Sequence, residues 1–442
     1  MQEREGGALR SAFIRFISFL VLLEGVLMSA VLDKVEINGV EVPLIFEEER
    51  LLPIASMQVV FRYSGSLADD GHPGLARFSA RMMNEGTRSL GSTGFAKALE
   101  ERAISLSAHA GTETFVLELG SLKEEFEKGS QLLSSLLREP NLTENTFKKV
   151  QTTTIGSLMR RESDYDYQAS ILLKKLLFEG TPLANPAEGS VKDIESLELG
   201  NVESFLKEHL VLHRAIVVIG GAMTLQEAKS YAKRALEPLE AGKAEPLPYF
   251  KASDAAKSMT RKRATEQAYI YFGAPFDMRV DDPQSYKAKV AAFILGSSGF
   301  GSRLMEEIRV KRGLAYSAYG RIVLNKSSSY FSGYLQTKLD SREEAIRIVK
   351  EVVAEFVEKG VSEKELEDAK MFLLGSEPLR NETLSQRLGR AFNEYYKGLG
   401  LGYSKRMLEL IEELKLEDLN RFIAAHPEIL KLSFAVITDD KK

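Results

Sequence analysis

The sequence predicts an α+β protein built as two similar halves in tandem, and three observations carry that prediction. Strand-like and helix-like patterns alternate along the chain from Val35 onward. Two helix-opening landmarks recur at one displacement. Glu124-Glu125-Phe126 answers to Glu343-Glu344-Ala345, and Asn141-Leu142-Thr143-Glu144 to Gly360-Val361-Ser362-Glu363, both 219 positions on (343 − 124 and 363 − 144). Between the halves, the stretch from Glu237 to Pro248 holds Pro238, Pro246 and Pro248 and shows neither a helical nor a strand period, as a linker would. Order and spacing kept across both halves make chance echoes the poorer account.

Taken in order, residues 1–30 read as a secretory segment. Arg4, Arg10 and Arg15 precede the apolar run Phe16 to Leu23, and small residues follow at Ser29 and Ala30. Glu24 interrupts the run, which is too short to span a membrane. Met28 as an alternative start keeps a cytosolic chain open.

Residues 31–236 form the first half. Val35 to Val42 alternates around Asn38-Gly39, the strongest short-range hairpin signal. Ser56 to Tyr63 and Thr114 to Leu119 read as strands. Helical periods cover Gly74 to Asn84, Thr93 to Arg102, Glu124 to Leu137 and Thr143 to Arg161. Thr143 suits a helix cap because Phe147, Val150 and Thr154 follow at helical spacing. Leu199 to Phe205 resembles Leu416 to Phe422, and each leads to an apolar strand, Ala215 to Ile219 and Leu432 to Ile437. Residues 237–258 are the linker and 259–442 the second half.

The 442 residues, 44% apolar and 28% charged, suffice for large buried cores. A net charge of −4 gives no reason to expect nucleic acid or an anionic membrane as partner. The absence of cysteine excludes disulfides and thiolate metal sites but says nothing of compartment.

The most informative stretch is Gly74 to Thr87, Gly-Leu-Ala-Arg-Phe-Ser-Ala-Arg-Met-Met-Asn-Glu-Gly-Thr. It resembles the active-site helix of the pitrilysin/insulinase family of zinc peptidases, where the matching segment reads H-x-x-E-H. Here Arg77 and Arg81 stand at the histidine positions and Ala80 at the glutamate. Residues i and i+4 share a helix face, which is how two imidazoles reach one metal. Two guanidiniums stay protonated, offer no lone pair and repel a cation. Ala80 cannot take a proton from a metal-bound water. The resemblance puts the family's third ligand, a glutamate, near Ser157, and no acidic residue occurs between Glu144 and Glu162. Two arginines on a solvated helix face would look the same on their own; the rest of the chain weighs against that.

A second segment runs from Gly299 to Ser317. Arg309 and Tyr316, with Leu314 in register, match an R-x-x-x-x-L-x-Y pattern of the family's C-terminal half. The resemblance implies that this pair donates hydrogen bonds to the substrate carbonyl and its developing oxyanion, work suited to side chains presenting donors. It also implies a clam of two halves, each a largely antiparallel sheet covered by helices. Peptide would be added at an exposed sheet edge, for which Ser105 to Thr112 is the candidate. Some family members divide the labour between a chain with H-x-x-E-H and a chain with the Arg/Tyr pair. This sequence resembles the second kind.

The expectation is therefore a non-catalytic subunit of a heteromeric zinc metallopeptidase, without metal of its own. Its partners would be an H-x-x-E-H-bearing paralogue that holds the zinc and a peptide or unfolded polypeptide. The place expected is the periplasm or the exterior, with a cytoplasmic chain as the alternative. The other reading is a structural or peptide-holding protein with no part in catalysis. His209 and His213 are spaced i, i+4 beside Glu208, but a strand expected from about Arg214 argues against a shared helical face. Gly296 to Gly301 lacks the lysine of a phosphate-binding loop and reads as a loop between helices. His72, just before the motif helix, cannot replace both missing imidazoles.

Overall fold

The computed structural model describes residues 30–439, so the expected secretory segment lies outside the described residues apart from Ala30. The hairpin forms as read: β1 (Val31–Ile37) and β2 (Val40–Glu48) pair antiparallel around Asn38 and Gly39, at φ 49° and 79°. Two successive positive φ values give the turn whose twist matches the strands it joins. β3 (Ile54–Arg62), β4 (Ser105–Ala110), β5 (Thr114–Leu122) and β6 (Ala215–Gly221) complete a six-stranded sheet in the order β1-β2-β6-β3-β5-β4. Strands β7 (Ser258–Lys262), β8 (Gln267–Pro275), β9 (Ala315–Leu324), β10 (Ser329–Lys338) and β11 (Ser433–Thr438) form a second sheet, β7-β11-β8-β10-β9. In each sheet one pair is parallel, β2 with β6 and β7 with β11, and the rest are antiparallel. The two halves therefore share a topology.

The repeat is visible at helix starts. Thr143 caps helix Glu144–Arg161 by accepting from the Thr146 N–H, and Ser362 caps helix Glu363–Gly375 by accepting from the Glu365 N–H. These caps are 219 residues apart (362 − 143), each satisfying a backbone donor that the helix leaves open.

The same displacement separates helices Tyr165–Leu177 and Leu384–Tyr396 (384 − 165). Each of these crosses to the other half. Leu172, Leu173, Leu176 and Leu177 pack with Tyr330, Ala435 and Ile437 on the second sheet. Leu384, Leu388 and Ala391 pack with Ile45, Val60, Ile216 and Val218 on the first. Both sheets are thus buried on two faces at their centres. Every residue of β6 and β11 is buried, which explains why those strands read as continuous apolar runs. A buried leucine in such a seam contributes about 1.5–3 kcal/mol, and Leu173→Asp would break it.

Glu113 ties the halves further. Its carboxylate accepts from the Ser327 N–H (2.8 Å), the Ser327 hydroxyl (2.6 Å) and the Tyr396 hydroxyl (2.8 Å). The stretch from Glu240 to Ser253 is a fastened strap. The Leu212 and His213 N–H groups donate to the Glu240 and Ala241 carbonyls, the Phe250 N–H donates to Ser327, and the Ser253 N–H donates to Leu177.

Candidate functional site

The helix bearing the arginines, Leu75–Met83, starts where Asp69 gathers its free donors: the Gly74 N–H at 2.7 Å and the Ala76 N–H at 2.8 Å. Burial nonetheless pushes the Asp69 carboxyl up to about 7, outweighing those bonds and the nearby Arg77 charge. Gly74 has φ 96°, and a Cβ there would lie 2.6 Å from the Glu188 carbonyl oxygen. A Cβ on Gly189 would lie 2.3 Å from the Pro73 carbonyl oxygen. Two glycines therefore let the loop carrying Glu188 press against the start of the motif helix.

Glu188 stands between two arginines. Arg77 Nη1 donates to Glu188 Oε1 at 2.9 Å, and Arg161 Nη1 lies 2.9 Å from Oε2. The second contact has ion-pair distance without hydrogen-bond alignment, because Oε2 carries no hydrogen bond. The Glu188 side chain is 10% exposed, while the Arg161 guanidinium also covers the Tyr167 ring at 4.8 Å. Arg81 Nη1 donates to the hydroxyl of buried Thr154 at 3.2 Å. Ala80 is buried, and Ser157 is partly buried one turn beyond Thr154 on helix Glu144–Arg161.

Arg81 is thus bonded to the helix that carries Ser157, through Thr154, and Arg77 is linked to the end of that helix through Glu188 and Arg161. Arg77, Ala80, Arg81 and Ser157 do not fit a zinc ion: they present protonated donors, a methyl group and a hydroxyl. Among the described residues no group of three or more His, Asp or Glu side chains could hold a metal. His209 and His213 do not share a helix face. Helix Leu199–His209 ends at the first, and the second lies in the short turn Leu212–Arg214 before β6. His209 stacks on Phe205 at 4.5 Å, and burial drives its imidazole down to about 4, so it stays neutral. His213 Nδ1 sits 2.8 Å from the Ala241 carbonyl oxygen.

Arg309 and Tyr316 meet at the rim of the second sheet. Arg309 belongs to a widened helical turn, Glu306–Val310, and Tyr316 is the second residue of β9, an edge strand. The connecting turn is held by the Leu314 N–H donating to Ile308, the Gly313 N–H to Arg309, and the Thr337 hydroxyl to Leu314. The Arg309 guanidinium lies over the Tyr316 ring at 4.4 Å and over the Phe300 ring at 4.6 Å. Its neighbouring carboxylate, Glu307, is taken by Lys311 and Arg312. Among the described residues Arg309 has no ion-pair partner. Tyr316 is 81% and Phe300 68% exposed. Contact with two aromatic rings restrains the guanidinium while leaving its donors without a carboxylate partner. No hydrogen bond, ion pair or ring contact joins this pair to Arg77, Arg81 or Glu188 among the described residues.

Gly296 lies within the widened turn Phe293–Ser297 rather than in a loop, which begins at Ser298. Packing explains this, since a Cβ on Gly296 would meet the Gly320 backbone at 2.6 Å. Sequence reasoning missed Glu188 and Phe300. The available signals were Gly189 beside the first and the glycines flanking the second.

Two tandem sheet-and-helix halves, with two arginines, an alanine and a serine at the positions the sequence singled out, define a metallopeptidase-like architecture whose residues there are not metal ligands. The chain belongs to the insulinase family, peptidase family M16. Residues 49–191 match the model of the insulinase (peptidase family M16) domain and residues 196–373 that of the peptidase M16 inactive domain. A Helicobacter pylori protein named non-peptidase homolog YmxG is 43% identical over 426 residues, covering 96% of this chain and 98% of the relative. A Bacillus subtilis protein named uncharacterized zinc protease YmxG is 24% identical, over 79% of this chain and 83% of that one. The crystal structure of a peptidase M16 inactive domain from Pseudomonas fluorescens superposes with TM-score 0.86 at 22% identity, covering 93% of this chain and 98% of that chain. A chain of complex III2 from Candida albicans shares the fold at TM-score 0.73 and 14% identity, covering 92% and 95%.

Proposed function

We propose that this protein is the non-catalytic subunit of a heteromeric zinc metallopeptidase, lending Arg309 and Tyr316 to a metal site held by an H-x-x-E-H-bearing paralogue. The observation that carries the reading is the division of features within one chain. Its own motif is occupied by the Arg77–Glu188–Arg161 network, while Tyr316 stands exposed on an edge strand beside a half-buried Arg309 that has no carboxylate partner among the described residues. Zinc would reside in the partner and polarise the scissile carbonyl there. The work of this chain is to grip the same oxygen: the Arg309 guanidinium and the Tyr316 hydroxyl are donors suited to a peptide carbonyl and the negative charge that grows on it. The substrate is a peptide or unfolded segment, not nucleic acid, and the setting is the periplasm or the exterior. The relative named a non-peptidase homolog supports the absence of independent activity.

The test is mixing. Purified chain added to an H-x-x-E-H paralogue restores peptide cleavage, and Tyr316→Phe in this chain depresses it. Full activity of the paralogue alone, unchanged on mixing, refutes the proposal. One observation favours the second reading, a peptide holder without catalytic duty: β4 is an edge strand, where a strand can be added, with the Ala108 N–H and carbonyl already bonded by the Asn84 side chain. In that case a peptide binds this chain alone and Tyr316→Phe changes nothing.

A further inference from the structure

On the far side of the helix donated to the first sheet lies a hollow of about 570 Å³, bounded by Arg380, helix Leu384–Tyr396, the turn through Lys397 and Leu399, and the start of helix Tyr403–Glu412. Its charges do not balance. Arg380 and Lys397 line it without an ion-pair partner among the described residues; Lys289 is not in the lining but lies behind Met407, whose sulfur is 3.9 Å from its ammonium. Met407 is itself part of the lining. Arg390 also lines the hollow but is engaged by Glu377.

The nearest acid inside it is spent. Both oxygens of buried Glu394 accept backbone N–H groups, from Gly402 at 2.7 Å and from Ser404 at 2.7 Å. That carboxylate therefore caps helix Tyr403–Glu412, taking two of the donors at its start. Burial lowers the Lys289 ammonium to about 8, helped by the Arg380 and Arg390 charges, and burial also lowers Lys397. Arg380 and Arg390 press on the half-buried Lys289, and a bound anion would remove that cost; the charge facing Lys397 is that of Glu113.

We infer that this hollow is a binding site for a small phosphate-bearing anion of two or more negative charges, gripped by Arg380 and Lys397. Guanidinium and ammonium donors together match phosphate oxygens. Ser385, Ser404 and Asn393, also in the lining, add neutral donors. The site is independent of the Arg309–Tyr316 pair and of any peptidase partner.

The probe is inorganic pyrophosphate titrated calorimetrically into the full chain, against sodium chloride at equal ionic strength and against citrate. The inference expects saturable one-to-one binding of pyrophosphate and none of chloride. Lys397→Gln and Arg380→Gln should each weaken it about tenfold or more, the scale of one charged hydrogen bond. Lys364→Gln, on an exposed helix where Lys364 pairs with Asp368, should leave it unchanged. Circular dichroism of each variant separates lost binding from lost fold. Where Lys397→Gln does not fold, Arg380→Gln on the exposed rim decides. Pyrophosphate behaving as chloride does, or binding that survives Lys397→Gln with Arg380→Gln in one folded chain, overturns the site. Citrate binding as tightly as pyrophosphate overturns the phosphate assignment.

Discussion

Replacing Glu188 by glutamine tests whether the Arg77–Glu188–Arg161 network holds the start of the arginine-bearing helix in place. The substitution leaves Arg77 and Arg161 facing each other across a neutral amide. Removing one partner of a fully buried pair costs about 3–5 kcal/mol, whereas a surface pair is worth about 0.2–1 kcal/mol. Glu188 is 10% exposed, but the Arg77 and Arg161 side chains are 35% and 40% exposed. Water therefore screens both cations, and a loss of about 2 kcal/mol is expected. Arg161→Ala should cost less, about 1 kcal/mol, because Arg77 still pairs with Glu188. The assay is urea unfolding, with the midpoint lowered and the slope unchanged. A Glu188→Gln chain within about 0.5 kcal/mol of the parent would refute the reasoning, since the triad would then be a surface ornament.

Three further outcomes are expected. Tyr316→Phe in the mixed complex should lower kcat about 10²–10³-fold, the usual effect of one lost oxyanion donor, measured by peptide cleavage at saturating substrate; an unchanged kcat would remove Tyr316 from the chemistry. Chain incubated with zinc and then desalted should retain well under one zinc per molecule by elemental analysis, and stoichiometric zinc would contradict the Arg77/Arg81 argument. Asp69, raised to about 7 from an ordinary 3.8, binds its proton more tightly when folded. Its contribution is thus full below pH 3.8 and fades as pH rises through 7. Asp69→Asn should flatten that slope in unfolding experiments across pH 4 to 8, and an unaltered slope would place the proton elsewhere.

Much of this architecture was legible because local chemistry agreed with the global fold. Asn38-Gly39 set a turn that only positive φ values permit, Thr143 announced a cap, and the displacement of Glu124 to Glu343 disclosed the tandem design. The exchange of helices Tyr165–Leu177 and Leu384–Tyr396 was not legible, because an amphipathic period says that a face is buried but not on which sheet. Arg77, Ala80 and Arg81 drew attention through their resemblance to the family's motif helix. The partner of Arg77 could not be read, since Glu188 lies 111 residues from it and arrives only because Gly74 and Gly189 let two loops touch. Arg309 and Tyr316 stood out by resemblance to the family's pattern, whereas Phe300, the other ring against the guanidinium, needed the folded loop.

The most direct measurement is peptide hydrolysis by an H-x-x-E-H paralogue with and without this chain, alongside this chain alone. The account predicts cleavage only in the mixture, abolished by Arg309→Ala and greatly slowed by Tyr316→Phe. Chelator-sensitive hydrolysis by this chain alone would contradict it.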